Sequence, residues 1–159
     1  MLKPNDLAPK FSLKADDGST VRLSALRGRT VVLYFYPQDD TPGCTKEACE
    51  FRDRHKDLDK RGAVVLGISP DTPESHQRFR DKFGLDFRLL ADIDHKVAGA
   101  YGVWQRKSMY GRKYWGIART TFVINKRGRI ARVFEKVRPA GHAAEVLAAL
   151  GEEPAKNDD

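Results

Sequence analysis

Residues 30–36 (TVVLYFY) and Ala63–Ser69 (AVVLGIS) constrain this chain more than any other feature. Both runs are almost wholly apolar and rich in β-branched or aromatic side chains, and neither alternates polar with apolar residues. Strands of that composition need cover on both faces, as in the middle of an α/β sheet. Pro37 stops the first run and Gly62 precedes the second. Between them Ala48, Phe51, His55 and Leu58 fall on one stripe at helical spacing, which predicts a helix from about Cys44 to Lys60.

The remaining elements follow from shorter signals. Phe11, Leu13, Val21 and Leu23 flank the turn-rich Asp16-Asp17-Gly18-Ser19 and predict an N-terminal β-hairpin. Thr72, Pro73 and Glu74 supply a cap, an N1 proline and an early acid for a helix that turns Phe79 and Phe83 inward. A short strand is expected at 87–91 and a short helix near 96–101. The polar, basic and aromatic stretch 102–116 reads as an extended loop. Two strands, 120–124 and 130–137, are joined by Asn125-Lys126-Arg127-Gly128, which looks like a hairpin turn. A last helix buries Val146, Leu147 and Leu150, and 151–159 reads as a frayed polar tail. This order implies one α/β sheet of mixed strand directions with helices on both faces, and a single domain over 1–159.

Composition excludes several classes. No apolar run approaches the ~20 residues of a membrane helix, and the first residues lack the apolar core of a secretory signal. The expected location is the cytoplasm. The net charge of +7 arises from 29 Lys and Arg against 22 Asp and Glu. The stretch 106–119 mixes five basic residues with Tyr110, Tyr114 and Trp115, a combination that can bind single-stranded nucleic acid. A loop edging the mouth of a site is the reading the sequence favours. His55, His76, His95 and His142 show no metal-binding spacing and read as surface or helix-face residues. No CxxC, GxGxxG or Walker loop occurs. Asp39 and Asp40 read as solvated loop residues.

The chemistry-bearing segment is 36–52, YPQDDTPGCTKEACEFR. Cys44 falls where the predicted helix begins, among backbone N–H groups without intrahelical partners and at the positive end of the helix dipole. A thiolate is favoured there. A lone buried cysteine is usually inert, but Cys49 follows five residues later. Intracellular chains rarely use a disulfide as a staple, and so short a loop would add little stability. A redox role explains a bonded pair better.

The spacing Pro37, Thr41, Cys44 resembles the peroxidatic motif Pro-x-x-x-Thr-x-x-Cys of the peroxiredoxins. TPGCTKEAC, the opening DLAPKFSLKADDG, and the segments VLGISPDTPESHQRF and GIARTTFVIN are similar to the bacterioferritin-comigratory-protein, or peroxiredoxin Q, branch. The resemblance implies a thioredoxin-like fold and a thiol peroxidase acting on hydrogen peroxide and organic hydroperoxides. It implies that Cys44 is the nucleophile, that Thr41 and the Cys44 N–H hold the peroxide, and that Arg119 supports thiolate and peroxide. Pro37 would shield the sulfur, and Glu47 would give structural support. Cys49 would resolve the sulfenic acid into a Cys44–Cys49 disulfide, recycled by thioredoxin or a similar dithiol. No cofactor or metal is implied, and the branch is often monomeric.

Geometry adds a condition. Residues five apart on a regular helix have Cα atoms roughly 8.7 Å apart, whereas a disulfide needs less than about 7 Å. The helix must therefore unwind before the two sulfurs bond. Trp115 and Asn125 depart from the branch, which often has Met and Asp there. Two other readings compete: a general disulfide oxidoreductase using the same cysteines, and a basic nucleic-acid-binding module built on 106–119.

Overall fold

The computed structural model describes residues 2–151. The first apolar run forms β3 (Thr30–Phe35), every residue of it buried. The second forms β4 (Ala63–Ser69), parallel to β3 with Thr30 opposite Ala63 and Phe35 opposite Ile68. Around them lie β1 (Ser12–Ala15), β2 (Thr20–Arg22), β5 (Arg88–Ala91), β8 (Thr120–Ile124) and β9 (Ile130–Phe134). They make one seven-stranded sheet in the order β2-β1-β5-β4-β3-β8-β9. The β3–β4 and β4–β5 pairs are parallel and the others antiparallel, so the expected mixed sheet is present.

Alternation along β3 builds a core on each face. Val31, Leu33 and Phe35 join Tyr101 and Phe122 on one side, under α4 (Lys96–Ala100) and the segment bearing Ala8 and Phe11. Val32, Tyr34 and Tyr36 join Phe51, Phe79 and Val146 on the other. That face is covered by α1 (Pro42–Asp53), α3 (Pro73–Phe83) and α5 (His142–Gly151). Tyr34 stacks on Phe51 with ring centroids 4.7 Å apart. Burying an aromatic ring of this kind stabilises the fold by roughly 2–3 kcal/mol. A Cβ at position 67 would stand 2.9 Å from the Tyr34 ring and hydroxyl, so glycine there gives the ring its place against β4.

Four sequence expectations need correction. The helix after β3 begins at Pro42, not Cys44, because proline suits the first helical position. It breaks at Arg54, and α2 (His55–Lys60) continues separately. The apolar stripe runs through that break, since Ala48, Phe51 and Leu58 are all fully buried. The expected loop 102–116 is instead largely a two-stranded hairpin, β6 (Trp104–Met109) and β7 (Arg112–Ile117), closed by Tyr110-Gly111 with both residues at positive φ. That backbone is a hairpin turn normally signalled by Asn-Gly. Finally, the last strand ends at Phe134, short of residue 137. The turn before it is as expected: Asn125 Oδ1 accepts from the N–H groups of Arg127 and Arg129 at 3.0 and 3.1 Å. The tail beyond residue 151 lies outside the described residues.

Candidate active site

Parallel pairing brings the C-terminal ends of β3 and β4 to one edge, where the loops after each strand meet, the usual crevice position in α/β sheets. From the first of these loops α1 begins, with Thr41 as its extended N-cap residue. The first helical backbone bond runs from Thr45 N–H to the Thr41 carbonyl at 2.8 Å. The N–H groups of Gly43 and Cys44 thus precede the ladder and mark the positive end of the helix. Cys44 sits in this turn and is 2% exposed.

Arg119 reaches it from the short link between β7 and β8. Its Nη2 donates to Cys44 Sγ at 3.3 Å, and its Nη1 donates to Glu47 Oε1 at 2.6 Å. One guanidinium therefore clamps two side chains of α1 a turn apart. Burial works against the Arg119 charge, but Glu47 and Cys44 more than offset it and hold the guanidinium above its ordinary range. Glu47 is buried, and desolvation raises its carboxyl to about 7 against the opposing pull of Arg119. Among the described residues its second oxygen, Oε2, has no hydrogen-bond partner, nor does the buried Tyr34 hydroxyl.

The expected site residues are not all equivalent in place. Cys44, Glu47 and Arg119 are brought into direct contact. The Thr41 hydroxyl donates to the Gln38 carbonyl at 2.9 Å, within the loop that leads to Cys44. Pro37 is half-buried directly after the β3 run. Cys49 is half-buried, and both thiols are free on one continuous helix, the arrangement in which their sulfurs cannot bond without unwinding.

Sequence reasoning missed several residues here. Gly43 matters because a Cβ there would stand 3.3 Å from Arg119 Nη2, so its bareness admits the guanidinium. Lys107 on β6 has its ammonium pushed down, by burial first and then by Arg119, while Cys44 pulls the other way.

Asp39, expected to be solvated, and His76, expected on a surface or helix face, are buried together, His76 on the inner face of α3. Tyr36 Oη donates to Asp39 Oδ1 at 2.6 Å, Ser75 Oγ donates to Asp39 Oδ2 at 2.8 Å, and His76 Nδ1 lies 2.7 Å from the same oxygen. His76 Nε2 faces the Leu90 carbonyl at 2.9 Å, and the Asp39 N–H donates to Asp71 at 2.7 Å. Such a network ties the 37–41 loop to α3 and to the end of β4. His142 is buried too, with Nε2 2.7 Å from Thr121 Oγ1. Apart from Tyr36–Asp39, these contacts link residues 14 or more apart in sequence, which is why periodicity could not reveal them.

The sequence pattern of the AhpC/TSA family matches residues 4–133. Peroxiredoxin Bcp of Bacillus subtilis is 49% identical over 143 residues, covering 90% of this chain and 91% of that protein. A putative peroxiredoxin bcp of Coxiella burnetii is 52% identical over 143 residues, covering 90% and 95%. Among solved structures, the PrxQ of Xylella fastidiosa superposes with a TM-score of 0.90 at 34% identity, over 95% of this chain and 96% of that one. The bacterioferritin comigratory protein of Xanthomonas campestris, studied for alkyl peroxide reduction, gives 0.85 at 40% identity over 89% and 90%. A thioredoxin-like peroxiredoxin architecture is common to these structures and this one. The chain belongs to the AhpC/TSA family, among its Bcp/PrxQ peroxiredoxins.

Proposed function

We propose that this peroxidase reduces hydrogen peroxide and organic hydroperoxides with Cys44 as the attacking sulfur and Cys49 as the resolving one. The observation that carries the reading is the Arg119 guanidinium 3.3 Å from Cys44 Sγ at the head of α1. The Cys44 thiolate attacks the terminal peroxide oxygen, an S–O bond forms, the O–O bond breaks, and the alcohol or water leaves with a proton. Charge grows on the leaving oxygen in that step. Arg119, Lys107 and the unladdered N–H of Cys44 are the donors and charges available to stabilise it. Thr41 positions the peroxide once its hydroxyl turns from Gln38, and Pro37 limits water at the sulfur. Glu47 orients Arg119.

The Cys49 thiol then attacks the Cys44 sulfenic acid, releasing water and forming the disulfide. The anchors of α1 suit this. Its far half is held by Phe51 in the core, by Arg52 donating to the Phe83 carbonyl at 2.6 Å, and by Glu50 accepting from Gly141 N–H at 2.8 Å. Its first turns are held through Arg119 on Cys44 and Glu47, a clamp that oxidation of the sulfur alters. A dithiol protein, thioredoxin or one like it, returns two electrons. On this reading the chain is one domain, monomeric and cytoplasmic.

Peroxide consumption by the reduced protein tests the assignment. Cys44→Ser should abolish it. Cys49→Ser should keep one turnover per protein and lose recycling by thioredoxin. Sustained thioredoxin-driven turnover in Cys49→Ser would remove Cys49 from the cycle.

A further inference from the structure

Acidic and basic residues are segregated along this chain. From 95 to 134 there is no Asp or Glu, while ten Lys and Arg occur there. The remaining residues hold more acids than bases, so the net positive charge arises wholly in this stretch. Its part beside the active site is the β6–β7 hairpin. Arg119, whose Nη2 donates to Cys44 Sγ at 3.3 Å, follows β7 by two residues, and Lys107 lies on the paired strand β6.

The hairpin tip combines that charge with exposed rings. Tyr110 is 100% exposed, Trp115 58% and Met109 57%. Arg112 and Lys113 lie between them. Tyr, Trp, Met and Arg are the residue types enriched where proteins bind proteins. Several large apolar side chains exposed together mark an interaction surface more often than chance. The anchors are also held in place. Trp115 stacks on Trp104 with centroids 6.3 Å apart, and Trp104 stacks on His95 at 3.9 Å. On the other face a Cβ at Gly116 would touch the Tyr114 ring at 3.4 Å and the Lys107 stem at 3.5 Å, so that bare position lets the two pack together. Rings fixed before binding lose little entropy when a partner arrives.

We propose that the tip of the β6–β7 hairpin is the docking surface for the dithiol protein that reduces the Cys44–Cys49 disulfide, and that this partner carries acidic residues around its reactive thiol. The inference rests on the peroxidase reading above. A partner at this place must deliver electrons to a sulfur beside the hairpin. Its thiolate attacks one sulfur of the disulfide, the S–S bond breaks, and a mixed disulfide forms. Its second thiol then releases it, so two electrons and two protons pass to Cys44 and Cys49. A lipid surface or a nucleic acid matches the charge but brings no such group. Opposite charge on the partner speeds encounter and fixes orientation.

The test uses the full chain, oxidised by one equivalent of hydrogen peroxide and reduced either by an acidic bacterial thioredoxin or by dithiothreitol. With thioredoxin the wild-type rate should fall as salt is raised. The double variant R112E/K113E should be reduced about tenfold or more slowly at low salt, and its rate should lose that salt dependence. Trp115→Ala should slow reduction several-fold at every salt concentration. Dithiothreitol should reduce all three proteins equally fast, and peroxide consumption should be unchanged. Equal thioredoxin rates for R112E/K113E and wild type would overturn the docking surface alone. So would a hairpin effect confined to phosphatidylglycerol vesicles or single-stranded oligonucleotides. Absence of the peroxide-driven disulfide before reductant is added would overturn the peroxidase reading, and the docking inference with it.

Discussion

Two buried polar clusters flank the C-terminal end of β3, and they differ in how completely their hydrogen bonds close. Around Asp39 and His76, both carboxylate oxygens and both ring nitrogens have partners, and Tyr36, Ser75 and the Leu90 carbonyl complete the set. Around Cys44, one guanidinium serves both a sulfur and a carboxylate, while Glu47 Oε2 and the Tyr34 hydroxyl have no partner among the described residues. A closed network rigidifies what it joins, whereas unpaired buried groups cost stability. The closed cluster fixes the loop that delivers Thr41 and Cys44. The open one sets the Arg119 guanidinium against the sulfur, and the proposed cycle requires the first turns of α1 beside it to unwind. Asp39, Asp71 and His76 are also the one described group with donor atoms near enough to share a metal ion. Their bonds to one another and to neighbouring protein groups already give them a structural role.

The contrast can be broken from either side. Arg119→Ala removes the charge from the open cluster. The peroxide step should slow by about 10²–10³-fold, the cost of losing one aimed donor, with the secondary structure kept; stopped-flow mixing with peroxide measures it. His76→Ala opens the closed cluster. It should destabilise the fold by about 3 kcal/mol, since it leaves a buried carboxylate short of its partner. Urea unfolding measures that loss, and a loss well below 1 kcal/mol would deny the network its structural role.

Glu47→Gln sharpens the comparison through pH. Burial raises the Glu47 carboxyl from 4.5 to about 7 in the folded chain. Between those values the folded state keeps a proton that the unfolded chain gives up. The Glu47 contribution to stability is therefore full below about pH 4.5 and is lost as pH rises through about 7. The loss is on the order of 3 kcal/mol. Glutamine cannot ionise, so this part of the slope should vanish from unfolding curves collected across that range. An unchanged slope would place the titration elsewhere.

How much of this was legible in the sequence depended on range. The apolar runs of β3 and β4 announce buried strands by composition alone, and Pro73 stands at the helix start where local rules put it, whereas the start of α1 at Pro42 was expected two residues later. The spacing Pro37, Thr41, Cys44, together with the second cysteine, marked the site through local order. Arg119 was found only because its flanking residues resemble a motif; spacing alone gave no sign that it meets a sulfur 75 residues away. The Asp39–His76 contact, 37 residues apart, had no comparable flag. The β6–β7 hairpin was hidden for a different reason. Its outward residues are polar or aromatic without apolar alternation, and its turn places Tyr110 in a left-handed conformation that sequence rules reserve for glycine or asparagine. The break at Arg54 was invisible because no glycine or proline marks it.

The most direct measurement pairs peptide mass mapping with hydrogen exchange after one equivalent of hydrogen peroxide. The account predicts loss of two hydrogens mapped to a Cys44–Cys49 bond, with faster amide exchange in the first turns of α1 and unchanged protection in β3 and β4. A sulfenic acid that persists on Cys44 with α1 still protected, or a bond formed between two molecules, would contradict it.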